Sequence, residues 1–540
     1  MRFLMCLIAA ALLAVTAGNT FSASAQESDL PIAVSGFAAG GFDETIDAIN
    51  AVSATRTDRA RIILRALEAG SLYVVSGSGA IVIATSATDE QFKVEDAASG
   101  ANAGMVAAGM LEKVRLNNRV RRALRSAIGT LTLFGKTATI RTEAADTVFK
   151  SRDPEMSELL AEAISNERDA GVKQAMLQAQ AAIALAGDGP EAEKIKAIEL
   201  VRQRGNRDAL TLLTQIESSS EGALKQVAAE GVAALEGRLE ILGWVQNVWY
   251  GISLGSVLLL AAIGLAITFG VMGVINMAHG ELVMLGAYTT FMVQQVFRSS
   301  FPEAFDYSLF VALPAAFLVA GAVGIAIERG VIRFLYGRPL ETLLATWGIS
   351  LILQQAIRTI FGPSNVEVGA PSWMSGTIEV TAGLPFTLNR VWIVVFALAV
   401  FAVLTLVIKR STFGLQMRAV TQNRRMANSV GIRSNWVDAM TFGLGSGVAG
   451  IAGVALSQIS NVSPNLGQSY IIDSFLVVVF GGVGNLWGTL VGALTLGVAN
   501  KFLEPLAGAV LAKIFILIAV ILFIQRKPRG LFAQRGRAVE

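Results

Sequence analysis

The stretch VMGVINMAHGELVML, residues 271–285, holds the only histidine of the chain, His279, two places before Glu281. Apolar residues flank it on both sides, so the polar interruption at Asn276, His279, Gly280 and Glu281 means different things in different solvents. In water it is an ordinary turn. In lipid every peptide group of the interruption needs a partner inside the protein, because hydrocarbon supplies none.

Composition decides which solvent applies. The 540 residues are 53% hydrophobic and 16% charged, whereas a soluble domain carries roughly 25% charged residues. Mean hydropathy is +0.56. The apolar excess lies almost wholly after residue 250, and the half before it is Ala-rich, charged and soluble in character. A net charge of +3 gives no argument for a nucleic-acid partner.

The chain opens with MRFLMCLIAAALLAVTAGNTFSASAQ, which has the pattern of a secretory signal over residues 1–25. Arg2 supplies the positive start, Phe3 to Ala17 the apolar core, and Ala23-Ser24-Ala25 the small-residue cleavage site. Cys6 is the one cysteine and lies in this peptide, so the mature chain is expected to lack disulfides, thiolate metal sites and cysteine nucleophiles.

Residues 26–245 then read as an extracytoplasmic domain, mostly α-helical, with a small β-hairpin at SLYVVSGSGAIVIATS, residues 71–86. Segments starting at Leu159 and Leu212 resemble each other as helix, polar turn and Ala-rich helix, which suggests stacked HEAT-like pairs. GTLTLFGKT, residues 129–137, imitates a phosphate-binding loop but has five residues between its glycines where that loop has four. It reads as a turn between a strand and a helix. A docking or structural use is expected of this half.

A helix crosses the hydrocarbon core with about twenty apolar residues. Candidate spans are 252–274, 281–297, 308–327, 342–360, 391–408 and 436–458, then a broken pair at 470–482 and 488–502, then 506–524. The loop 328–341 holds Arg329, Arg333 and Arg338, and the loop 409–435 holds Lys409, Arg410, Arg418, Arg424, Arg425 and Arg433 without an acid. The intervening loops carry only Arg298, Arg390 and Lys501. This asymmetry places the basic loops and the tail in the cytoplasm and the N-terminal domain outside. The expected fold over residues 246–533 is an all-α polytopic membrane protein of about eight or nine transmembrane or re-entrant helices in two pseudo-repeated halves.

Both halves contain an interruption, NMAHGE at 276–281 and FGGVGNLWG at 480–488. Paired interruptions of this kind point to a substrate path at the interface of the halves. Asn276, His279, Glu281, Gly481, Gly482 and Asn485 are the candidate path residues. The plainer alternative puts His279 at the end of a helix hairpin, capping carbonyls, with Glu281 favouring the start of the next helix. Among other polar groups, Arg358 and Asp473 are expected to snorkel from span ends, Lys513 to pair with Glu504, and Gln354 and Gln355 to face the interior or to pack helices. A zinc reading of His-x-Glu fails for want of cysteines, and no nucleophile–base pair or metal set is visible.

Four ordered blocks carry a resemblance: GVINMAHGELVMLGAY, FGLQMRAVTQNRRMANSVGI, VVVFGGVGNLWGTLVGALTLG and KPRGLF. Together they resemble the permease subunits of branched-chain-amino-acid-type (LivH-like) ABC importers across about residues 245–533. The signal peptide and long extracytoplasmic domain are similar to the form of that family dedicated to urea, the UrtB-type permease. The resemblance implies a transport subunit with no cofactor of its own, ATP and magnesium being bound by partners. The implied partners are a second homologous permease, two cytoplasmic ATP-binding subunits and a periplasmic solute-binding protein, in an inner membrane. It also implies an ATPase-docking loop, carried onto Gly414, Arg418, Ala419, Asn423, Ala427 and Gly431. Family members have an acid before an Ala-Ala pair where this chain reads RRMANS. Rival expectations are a branched-chain amino acid or short-amide permease, a passive urea or amide channel, and a membrane-anchored receptor.

Overall fold

A computed structural model describes residues 30–87, 91–381 and 383–532. The expected signal peptide lies outside the described residues. The chain divides into two compact units at Arg238/Leu239.

The first unit begins with helices α1 (Leu30–Ser35), α2 (Phe42–Ala54) and α3 (Asp58–Ala69). Thr57 starts α3 by accepting a hydrogen bond from the amide of Ala60, and Gly70 ends it in the left-handed conformation. Five antiparallel strands follow: β1 (Leu72–Val75), β2 (Ile81–Ala87), β3 (Gln91–Asp96), β4 (Asn102–Ala107) and β5 (Leu111–Lys113), in the order β4-β3-β2-β1-β5. The expected hairpin is present as β1–β2, with Leu72 opposite Ile83 and Val74 opposite Ile81. It is the centre of a larger sheet. Strand β4, NAGMVA, is mostly exposed and lacks apolar alternation, and β5 has three residues, so neither carried a strand signal. Leu72, Ile81 and Ile83 pack against Ile49, Ile63, Leu64 and Leu124 in a buried core.

Helices α4 (Asn118–Leu133), α5 (Ala138–Ser151), α6 (Ser157–Asn166), α7 (Ala170–Ala186), α8 (Glu191–Arg204) and α9 (Arg207–Ser219) complete the unit with the first turns of α10 (Gly222–Met272). The two similar segments are helix–turn–helix pairs, α6–α7 and α9–α10, with α8 between them. GTLTLFGKT corrects one expectation. Its first five residues are the end of α4 and its turn leads into α5, so it joins two helices and no strand.

The second unit contains α11 (His279–Ser300), α12 (Ser308–Gly330), α13 (Pro339–Phe361) and α14 (Leu388–Arg410). Two short helices, α15 (Thr412–Gln422) and α16 (Arg424–Ser429), precede α17 (Ser434–Ser457), α18 (Leu466–Gly481) and α19 (Leu486–Arg526). Each apolar segment read from the sequence coincides with a helix. Among the described residues, 6 helices are long and apolar enough to cross a membrane. Helices α11 and α18 fall outside those, and α19 is broken at Gly508, where the backbone leaves helical geometry three residues after Pro505. A second hairpin, β6 (Thr377–Thr381) with β7 (Leu384–Thr387), lies between α13 and α14 and was not expected.

A two-contact ion pair ties α5 to the turn between α6 and α7. Arg141 on α5 grips Glu167 after α6 with Nε–Oε2 at 2.6 Å and Nη2–Oε1 at 3.1 Å. Glu167 also accepts from the amides of Arg168 and Asp169, which shape the entry to α7. The Arg141 guanidinium, hydrogen-bonded to it, holds the Glu167 carboxyl below the usual carboxylate range. A depressed acid adds stability that is present above its unfolded pKa, near 4.3 or about that, and lost as pH falls through the lower folded value. Glu167→Gln is therefore expected to cost about 1–3 kcal/mol at neutral pH. Hydrogen exchange in peptides covering 138–186 should be faster than in the unaltered protein, and the difference should narrow as pH drops through the carboxylate range.

Candidate functional site

Helix α10 stops at Gly273, which adopts φ 70° and donates its amide to Phe269 O. The chain then turns back. His279, the first residue of α11, reaches Ala261 O with Nε2 at 2.8 Å. A carbonyl only accepts, so Nε2 carries the proton. Ala261 precedes Met272 by eleven residues, roughly 16 Å along the axis. The connection thus re-enters the bundle, and α11 begins inside it. This corrects one part of the hairpin-end alternative, since His279 bonds a mid-helix carbonyl, not a last-turn one, and is 1% exposed, while Glu281 does lie in the first turn of α11.

The re-entry is stitched to α13. Met277 N donates to Thr346 Oγ1 at 3.1 Å, and Glu281 Oε1 accepts from Ser350 Oγ at 2.9 Å and Gln354 Nε2 at 2.7 Å. Asn276 is buried and turns its Oδ1 onto the amide of Ala278. Asn276 Nδ2, His279 Nδ1 and Glu281 Oε2 are buried without a hydrogen-bond partner in the protein. Asn276, His279 and Glu281 are thus a cluster of buried polar residues along one turn of chain, His279 facing α10 and Glu281 facing α13, and His279 and Glu281 do not pair with each other.

The sequence reading missed Thr346 and Ser350. Their signal is spacing. Thr342, Thr346, Ser350 and Gln354 recur every fourth residue and line one buried face of α13. Away from that stripe the helix exposes Leu340, Leu344, Trp347, Leu351 and Ile352. Such a helix is polar inward and apolar outward, the reverse of a soluble one. Gln354 points inward as anticipated, whereas Gln355 is exposed.

The second interruption is built differently. Asn485 caps α19, its Oδ1 accepting from the amides of Trp487 and Gly488. Gly482 bends the chain at φ 105°. The orphan carbonyls are taken by the chain's own tail: Leu531 N donates to Phe480 O at 2.9 Å and Phe532 N to Gly481 O at 3.1 Å. Asn485 Nδ2 closes the turn on Phe532 O at 3.4 Å. Gly481, Gly482 and Asn485 thus meet KPRGLF and stand apart from the His279 cluster. Both interruptions nevertheless lean on α10. Gly484 lies against Gly270, and His279 against Ala261 and Gly264.

Three cations near span ends find partners. Lys513 pairs with Asp473 at 2.9 Å, not with Glu504, which Lys501 takes at 2.5 Å. Arg358, expected to snorkel, donates to Asn465 Oδ1 at 2.5 Å.

The residues carried onto a docking loop hold that loop's shape. Gly414 packs against the carbonyl of Ile408, and Arg418 Nη1 caps the same oxygen at 3.0 Å. Asn423 caps α16, Ala427 is buried, Ala419 is half-buried, and Gly431 closes the α16 end with φ 91°. The large apolar side chains turned outward are Leu415, Met426 and Val430.

A bundle of long apolar helices with a polar, re-entrant interior defines a polytopic membrane protein. Residues 247–524 match the family described as the permease component of branched-chain amino acid transport systems. This chain belongs to that family of membrane transport subunits. It is similar to the high-affinity branched-chain amino acid transport system permease protein BraD of Pseudomonas aeruginosa, with 31% identity over 301 residues, 55% of this chain and 97% of the relative. Likeness to the corresponding LivH protein of Escherichia coli K12 is 30% over the same length, 55% of this chain and 97% of the relative. The probable LivH of Methanocaldococcus jannaschii is 26% identical over 292 residues, covering 51% and 88%. No solved structure matches the chain.

Two glycine substitutions test the packing of the site. A Cβ on Gly264 would lie 2.3 Å from Gly445 O and 2.7 Å from His279 Cε1, whereas one on Gly348 meets nothing. Gly348→Ala is expected to leave the purified protein as stable or more so, by up to about 1 kcal/mol from helix propensity. Gly264→Ala should lower its thermal midpoint clearly, by about 2 kcal/mol or more in stability. Equal midpoints for the two variants would contradict the close approach.

Proposed function

We propose that this chain is the transmembrane subunit of an ATP-driven importer that moves a small polar solute, urea first, from periplasm to cytoplasm. The family match supports the transport reading, and the basic loop 409–435 supports an ATP-driven one. Positive charge concentrated in the loops 328–341 and 409–435 favours their cytoplasmic placement, with the N-terminal unit outside. On that orientation Leu415, Met426 and Val430, with Arg425, form the face offered to a cytoplasmic ATPase. A second permease subunit, a pair of ATPases carrying ATP and magnesium, and a periplasmic binding protein complete the assembly.

Urea is favoured by the block resemblance and by the first unit, which lies wholly outside the residues matched by the family. Urea is neutral and rich in hydrogen-bonding groups. The His279 cluster offers hydroxyl, amide, imidazole and carboxylate groups, each suited to such a solute. The second reading, a branched-chain amino acid, is favoured by the relatives, whose names carry that substrate.

In operation the docking loop responds to ATP binding and hydrolysis on the partners, and the bundle alternates between outward and inward access. Asn276, His279 and Glu281 shape the inner side of the path, and no covalent step occurs on this chain.

Labelled urea and labelled leucine, offered to a strain lacking this gene and to one with it restored, decide the substrate. Restored urea uptake with unchanged leucine uptake is expected; the opposite pattern selects the amino acid, and uptake that survives loss of the ATPases selects a passive channel. His279→Ala is expected to reduce uptake by about tenfold, or 1.4 kcal/mol, while the complex still assembles. Full uptake by that variant removes His279 from the path.

A further inference from the structure

Asp438, in the second turn of α17, is completely buried, and the guanidinium of Arg424 on α16 binds its Oδ2. The same guanidinium carbon sits 4.7 Å from the ring centroid of Tyr336. The Tyr336 hydroxyl donates to Glu328 Oε1 at 3.3 Å, and Glu328 is a buried residue near the end of α12. Arg329 places its Nε 3.7 Å from Glu328 Oε2. Four separate parts of the chain meet here: the docking loop, α17, the 331–338 connection and α12.

Asp438 Oδ1 has no hydrogen-bond partner, and Arg424 is the cation that compensates this acid. Removing the cation from a buried carboxylate is costly, far more so than replacing both by neutral groups. A displacement of α16 must therefore draw α17 with it. Helix α17 is in turn packed backbone-close to α12, where a Cβ on Gly324 would lie 2.1 Å from Ser446 Oγ. Two turns beyond Asp438, Gly445 O reaches the space beside Gly264 that His279 Cε1 also borders.

We propose that the Arg424–Asp438 pair is the strut that transmits docking-loop movement through α17 to the interruption at His279. Arg424 and Asp438 are positioning residues, and the proposal rests on the importer reading given above.

The whole complex, with partner permease, ATPases and binding protein, is reconstituted in vesicles, and uptake and ATP hydrolysis are measured together. Arg424→Met combined with Asp438→Asn removes the pair without leaving a buried charge. This double variant is expected to assemble and to hydrolyse ATP at a rate close to normal, while solute moved per ATP falls by about tenfold. Arg424→Lys, which keeps the charge, should retain most of the coupling. Normal coupling in the double variant overturns the proposal. So does loss of assembly in the double variant, which would mark the pair as a folding element, and so does an Arg424→Lys complex as uncoupled as the double variant. The unaltered complex run in parallel with urea and leucine separates the two levels: if it imports neither solute, the importer reading fails, whereas coupled import there with coupled variants defeats only the strut.

Discussion

The structure depends on one constraint, that a peptide group at membrane depth must be hydrogen-bonded by protein. A helix meets it automatically, and the two interruptions are where the constraint has to be met another way. The first borrows side chains: Thr346, Ser350 and Gln354 of α13 take the amide of Met277 and the carboxylate of Glu281. The second borrows backbone: Leu531 and Phe532 of the tail bond the carbonyls of Phe480 and Gly481. Side-chain partners can be exchanged for a solute. Backbone partners supplied by a folded tail cannot be exchanged without undocking it, so the two interruptions are not equivalent. On the proposed function the His279 cluster is the interruption suited to a path, while the Gly481–Asn485 turn is held by the folded tail.

Much of this was legible in the sequence, because lipid simplifies the code. Apolar runs located the helices of the second unit, and the position of the two interruptions followed from Asn276–Glu281 and Gly481–Asn485 alone. What each interruption bonds to was not legible. Ser350 lies 69 residues from Glu281 and Leu531 51 residues from Phe480 in the chain, and no local pattern joins such partners. The fourfold spacing of Thr342, Thr346, Ser350 and Gln354 was present but was hidden by their moderate hydropathy. Lys513 was assigned to Glu504 on nearness in sequence, whereas the break at Gly508 separates the two and helix packing brings Asp473 instead. In the first unit the sheet outran its signal for a similar reason: β4 is held by pairing with β3, not by burying an apolar face of its own.

The basic loop 409–435 gives the reverse lesson. Gly414, Arg418, Asn423, Ala427 and Gly431 make a recognisable pattern because each performs a backbone task, whether a close approach, a cap, a buried contact or a left-handed turn. Residues with such tasks fix the shape of a surface and leave its chemistry to others. Leu415, Met426 and Val430 carry none of these backbone tasks and are exposed, so the pattern that marks the loop says nothing of what its surface meets.

The distribution of acids completes the argument. Glu281, Glu328 and Asp438 are the carboxylates of the second unit that are almost wholly withdrawn from solvent among the described residues. Glu281 is held by neutral donors, Ser350 and Gln354, and Asp438 by a full charge on a loop outside the long helices. A neutral-donor shell lets a carboxylate trade one partner for a solute at small cost, since one hydrogen bond replaces another. A charge pair penalises separation much more strongly, so it suits a joint that must stay closed while it moves. The same side chain type thus has two mechanical characters in one bundle, pliant beside the re-entrant loop and stiff beneath the basic loop, and α17 runs from the stiff one to the neighbourhood of the pliant one.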